Sequence, residues 1–194
     1  AKLLARTIQS DFSRIQFTPD LMPADVIGTA IFNMKTSLFD FQKGPVFSNI
    51  VLIDEINRAP AKTQAALIEV MEEKQISVDG TTHRMEDPFF IMATQNPIEQ
   101  EGTYQLPEAQ LDRFVFRIRL EYPSLDDEMQ ILNRYASDFN QGYSSVQRVL
   151  KPEDIKRIFN LIEKVYIKKD VLNYIAKIVH STRNSHHVYL GASP

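Results

Sequence analysis

The sequence predicts an α/β domain followed by a smaller all-helical one, dividing near residue 122. Two continuous apolar runs, Ile50-Val51-Leu52-Ile53 and Phe89 to Thr94, have the pattern of strands covered on both faces. Between them Gln64, Leu67, Ile68 and Met71 fall at i, i+3, i+4 and i+7, one face of a helix. After Tyr122-Pro123 only helical patterns follow, which separates residues 1–122 from 123–194.

Residues 2–9 predict a short helix, and the alternation of Ser13, Ile15 and Phe17 with polar neighbours predicts a strand directly after it. Pro23 to Ile27 is a candidate short helix. Ile31 to Met34 and Phe39 to Phe41 flank a polar Lys35-Thr36-Ser37 turn and predict a hairpin. Asp79-Gly80 between Ile76-Ser77-Val78 and Thr81-Thr82 predicts a second. Phe114, Phe116, Ile118 and Leu120 alternate with Arg117 and Arg119, which predicts a half-buried strand near a sheet edge. Ser124 with Asp127 resembles a capping box opening a helix that carries Met129, Leu132 and Tyr135 inward. Ile155, Ile158, Phe159 and Ile162, with Pro152 in the first turn, mark the next helix. Val171, Tyr174, Ile175, Ile178 and Val179 mark the last.

Composition narrows the chemistry. A hydrophobic fraction of 43% and a charged fraction of 24% are those of a soluble globular protein, here expected to be cytoplasmic. The net charge of −3 argues against nucleic acid as partner, and Arg117 with Arg119 do not reverse it. With no cysteine, disulfides, thiolate metal sites and a cysteine nucleophile are excluded. No apolar run approaches the roughly 20 residues that span a bilayer. His186 and His187 lack further ligands nearby, and His83 belongs to the second hairpin, so no histidine metal site is expected.

Three polar clusters lie beside the predicted strands: Asp54-Glu55 and Gln95-Asn96 just beyond strand ends, and Asp112-Arg113 before the last one. The carboxyl ends of strands are where open α/β sheets bind ligands. Asp followed by Glu suits phosphate chemistry, the first carboxylate holding Mg²⁺ and the second orienting or deprotonating a water. An Asn on a neighbouring strand can hold that water and a γ-phosphate, and an arginine can stabilise charge on the transferring group. Blander readings exist for each: a solvated strand end for Asp54 and Glu55, a turn residue before Pro97 for Asn96, an intrachain ion pair with Asp112, Glu108 or a sheet-edge carboxylate for Arg113. Asn57 and Arg58 either begin the following helix and bond its neighbours, or contact nucleotide or an adjacent subunit. Glu99, Glu101 and Glu108 form an acidic loop.

The long stretches VLIDEINRAPAKTQAALIEVMEEKQISVDG and FFIMATQNPIEQEGTYQLPEAQLDRF closely resemble the MoxR family of AAA+ ATPases, as do IQFTPDLMPADVIGT and the terminal YLGASP. The resemblance covers essentially the whole chain. It implies a P-loop NTPase fold, a parallel sheet flanked by helices with β-hairpin inserts, followed by a small helical lid. It makes Asp54 the Walker B ligand of Mg²⁺ and Glu55 the activator of the attacking water. Asn96 matches sensor 1, and Arg113 in LDRF matches the arginine finger that reaches the nucleotide of the adjacent subunit. The segments at about 31–42 and 76–84 resemble the helix-2 insert and pre-sensor-1 hairpin, which face substrate or the ring pore. The resemblance further implies ATP as substrate, a homo-oligomeric ring, commonly a hexamer, and protein clients, often with von Willebrand factor A domains.

One expected part is missing. A P-loop needs closely spaced glycines in G-x-x-x-x-G-K-[ST], whereas the six glycines here lie no nearer than 28 and 44. Lys2 is followed by Leu3 where Ser or Thr should stand. By the resemblance, the P-loop precedes the first residue and the sensor-2 arginine follows the last, so these 194 residues alone are expected to bind nucleotide poorly and to be inactive. The alternatives are an AAA+ motor acting on nucleic acid, a metal-insertion motor resembling magnesium chelatase, and a non-hydrolysing scaffold.

Overall fold

The computed structural model describes residues 1–78, 80–96, 103–137, 146–188 and 191–192. Asp79 of the second hairpin turn, Pro97, Glu99 and Glu101 of the acidic loop, and Tyr189, Leu190, Ser193 and Pro194 of the terminal motif lie outside them.

The chain opens with α1 (Lys2–Ile8), β1 (Phe12–Gln16), α2 (Pro23–Ile27), and the pair β2 (Gly28–Asn33) and β3 (Leu38–Lys43). Next come β4 (Ile50–Asp54), a 3₁₀ turn (Ile56–Arg58), α3 (Ala61–Glu73), the pair β5 (Gln75–Val78) and β6 (Thr81–Arg84), and β7 (Phe90–Ala93). A short α4 (Glu108–Leu111) precedes α5 (Leu125–Ser137), α6 (Pro152–Ile162) and α7 (Lys169–Arg183).

β1, β4 and β7 form a parallel sheet with β4 in the middle. The unbroken apolar run explains that place: Ile50, Val51 and Ile53 are all fully buried, as a strand covered on both faces requires. The register sets Gln16 beside Asp54 and Ala93 beside Ile53, so all three carboxyl ends reach one edge. α3 lays Leu67, Ile68 and Val70 into the core with Phe17, Val26 and Ile56, and it ends where Lys74 turns left-handed at φ 49°. Burying a leucine of this kind stabilises the fold by about 2 kcal/mol.

Both predicted hairpins form as antiparallel pairs. In the first, the Asn33 amide donates to Asp40 at 2.7 Å, and Phe32 meets Phe39 edge-on at 5.2 Å. Its base is tight. Gly28 has φ 109°, and a Cβ there would lie 2.2 Å from the Gln42 carbonyl oxygen.

The predicted strand at 114–120 does not form. This stretch pairs with neither β1 nor β7, and Phe116, Ile118 and Leu120 are at least 80% exposed. Alternation specifies which face is apolar, but a strand also needs a neighbour to supply its ladder, and no described residue does so. The helix after Ser124 does form, with the Ser124 hydroxyl 2.6 Å from Asp127 and accepting its N–H. Its stripe is not inward as expected: Met129, Leu132 and Tyr135 are all more than half exposed, because no described element covers them.

By internal contacts the chain divides into Ala1–Ile155 and Lys156–Pro194. The second unit contains the end of α6 and all of α7, against which Ala192 turns back by donating its N–H to the Thr182 hydroxyl at 2.9 Å. No described helix is long and apolar enough to cross a membrane.

Candidate functional site

The carboxyl edge of the sheet gathers the acids. Asp54 is the last residue of β4, and its carbonyl accepts the Phe17 N–H at 2.9 Å. Its Oδ2 pairs with Arg14 Nε at 2.5 Å, and its Oδ1 accepts from the Thr94 hydroxyl at 3.3 Å. Glu55 then takes a left-handed conformation, φ 58° and ψ 51°, which costs a non-glycine residue about 1–2 kcal/mol. That turn points its N–H at Thr94 Oγ1, 3.0 Å away, and brings its Oε2 to Gln16 Nε2 at 2.9 Å and Arg58 Nε at 3.1 Å. Adjacent carboxylates coexist here because each faces its own guanidinium.

The 3₁₀ turn extends the arrangement. Asn57 is only 4% exposed and donates through Nδ2 to the Asn96 carbonyl at 3.3 Å, while its own carbonyl accepts the Tyr104 N–H at 2.6 Å. Its buried Oδ1 has no donor among the described residues. Gln64, 1% exposed, donates to the carbonyls of Ile56, Ala59 and Tyr104 at 3.0, 3.2 and 3.0 Å. The Asn96 backbone is thereby tied to the turn that follows Asp54 and Glu55.

Arg113 does not join it. Its Nη1 pairs with Glu72 Oε1 at 2.5 Å, both side chains being about half exposed. Glu72 sits roughly 16 Å along the axis of α3 from the end nearest the acids, taking 1.5 Å per residue. The intrachain partner is a helix carboxylate that the sequence did not single out.

Sequence reasoning also passed over Arg14, Gln16, Thr94 and Gln64. Thr94 closes the second apolar run, and Gln64 is a polar residue on an apolar helix stripe; both were signals. Arg14 and Gln16 become visible only through the pairing of β1 with β4.

Comparison with known proteins settles the family. The model of the ATPase family associated with various cellular activities (AAA) matches residues 1–116, well over half the chain. Chaperone MoxR1 of Mycobacterium tuberculosis is 46% identical over 179 residues, covering 92% of the chain and 46% of that protein. The chain belongs to the MoxR family of AAA+ ATPases. Another relative of this MoxR-family chain, YeaC of Bacillus subtilis, is 48% identical over 193 residues, covering 100% of the chain and 60% of that protein. A crystal structure from Cytophaga hutchinsonii shares the fold at a TM-score of 0.79 and 48% identity, over 94% of the chain and 55% of its own. The chain thus spans about half to three-fifths of the relatives it matches.

The MoxR-family site offers oxygen donors, the kind that a hard cation prefers. No group of three His, Cys, Asp or Glu side chains is assembled among the described residues. A carboxylate at a strand end suits Mg²⁺, which is usually held by one or two carboxylates together with substrate phosphates and water.

Proposed function

We propose that the complete protein containing this chain hydrolyses ATP in a homo-oligomeric ring, commonly a hexamer, and uses the energy to remodel protein clients in the cytoplasm. The supporting observation is the acid pair at the carboxyl edge of a parallel sheet, joined through the Thr94 hydroxyl, in a chain of an ATPase family. Residues 1–122 are the nucleotide-binding core on this reading, and 123–194 the lid. The name of chaperone MoxR1 favours protein clients, and the resemblance to the MoxR family makes von Willebrand factor A domain proteins the first candidates.

Mg²⁺ with ATP would supply an electrophilic γ-phosphorus and screen the phosphate charge. Asp54 would hold the cation, which would take the place of its pairing with Arg14. The Glu55 carboxylate takes a proton from water as the water oxygen bonds to phosphorus and the bond to the ADP oxygen breaks. Asn96 orients that water. Arg113 reaches the phosphates of the neighbouring subunit.

The test is Glu55→Gln in the complete protein. ATP binding should persist while turnover falls at least about 100-fold, the usual worth of a positioned base. Turnover within a few-fold of the unsubstituted protein would overturn the role of Glu55.

A further inference from the structure

We propose that Asn57 is a positioning residue for hydrolysis, fixing the backbone of Asn96, and through it the direction of its side chain, from the turn that directly follows the acids; this rests on the ATPase reading above. The turn is itself rigidly placed. The Ile56 N–H donates to the Thr94 carbonyl at 3.0 Å and the Arg58 N–H to the Glu55 carbonyl at 2.8 Å. From that fixed point, Asn57 Nδ2 holds the Asn96 carbonyl at 3.3 Å. The amide orientation follows from the partner, since exchanging Oδ1 and Nδ2 would set two acceptors face to face.

The backbone of the same residue anchors the chain again, eight residues further on. The Tyr104 N–H donates to the Asn57 carbonyl at 2.6 Å, and Gln64 holds the Tyr104 carbonyl at 3.0 Å. Asn57 therefore ties Asn96 on one side and Tyr104 on the other to the turn beside Glu55. The two ties are chemically separable, because only the first uses the side chain.

Burial alone does not explain this asparagine. At 4% exposure its Oδ1 accepts from no described residue, a cost that leucine, with the same branching but no polar atom, would avoid. What leucine cannot do is donate to the Asn96 carbonyl. Asn57 thus gives up a satisfied Oδ1 to hold the Asn96 backbone, from which the Asn96 side chain extends, beside the turn.

Steady-state ATP turnover of the complete protein tests this with Asn57→Leu, Asn96→Ala and the double variant. Asn57→Leu should lower kcat at least about tenfold and leave KM within about threefold, the pattern of lost transition-state alignment. The double variant should be no slower than Asn96→Ala, because the tether then has nothing to aim. A kcat within twofold of the unsubstituted protein, or losses that multiply, would overturn the proposal. Should Asn57→Leu fail to fold, Asn57→Asp keeps the shape and removes the donor. Independently, the Asn57 side-chain amide protons of the unsubstituted protein should exchange at least about tenfold slower than those of an exposed asparagine; exchange at the solvent rate overturns the tether. Absence of turnover in the unsubstituted protein would sink the ATPase reading and this role together, whereas normal turnover with an unaffected Asn57→Leu sinks this role alone.

Discussion

The hydroxyl of Thr94 accepts the backbone N–H of Glu55 at 3.0 Å, and its single proton goes to Asp54 Oδ1 at 3.3 Å. One side chain just past β7 thereby contacts both acids at the carboxyl end of β4. Thr94→Val keeps the shape and removes the hydroxyl, leaving the Glu55 N–H without that acceptor. We expect a loss of about 1–2 kcal/mol in denaturant unfolding and a fall in ATP turnover of about tenfold. Unchanged turnover would show that the acids hold their positions without Thr94.

Arg113 and Glu72 form a half-exposed pair whose two roles can be separated. Glu72→Gln should shift stability by less than about 1 kcal/mol, as exposed ion pairs do. Arg113→Ala should abolish turnover of the complete protein with ATP binding intact. Mixing Arg113→Ala with Glu55→Gln subunits should restore partial turnover, because some interfaces then combine an intact Glu55 with a neighbour's intact Arg113. No restoration would rule out action across the subunit interface.

Gln64 supplies a buried donor group to three carbonyls. Gln64→Leu leaves those acceptors without it and should destabilise the fold by about 3 kcal/mol. The measurement is the denaturant midpoint, with an unchanged slope showing that the unfolding reaction itself is the same. A midpoint that does not move would mean the carbonyls find other partners.

Two glycines with positive φ should respond differently. Gly28→Ala forces a Cβ to within 2.2 Å of the Gln42 oxygen, whereas among the described residues beyond its chain neighbours nothing lies within 4 Å of a Cβ at Gly80. We expect about 3 kcal/mol or more for the first and about 1 kcal/mol for the second, read as unfolding midpoints. Equal effects would show that left-handed strain, and not the close approach, governs both sites.

Much of this molecule is legible in its local patterns. The run Ile50 to Ile53 announces a central strand, and the position of the acids at its carboxyl end follows directly, because they are contiguous with it in sequence. Gln16 and Arg14 were not legible: their value depends on β1 lying parallel to β4 in one register across 38 residues, from Gln16 to Asp54. Gln64 was assigned to a helix face for its spacing, although a polar residue in that stripe needs buried partners. The alternation at 114–120 was also real, but no described strand completes a ladder with it, so periodicity overstated the structure.

The left-handed backbone at Glu55 sets a trap for protein engineering. A search for heat-resistant variants would be drawn to position 55, where glycine or asparagine adopts the observed φ at lower cost. Such a screen would reward the very substitutions that delete the carboxylate, and on the function proposed above it would return durable proteins that do not turn over ATP. On that reading the strained backbone at position 55 is the cost of the carboxylate it carries, and durability alone is the wrong quantity to select for.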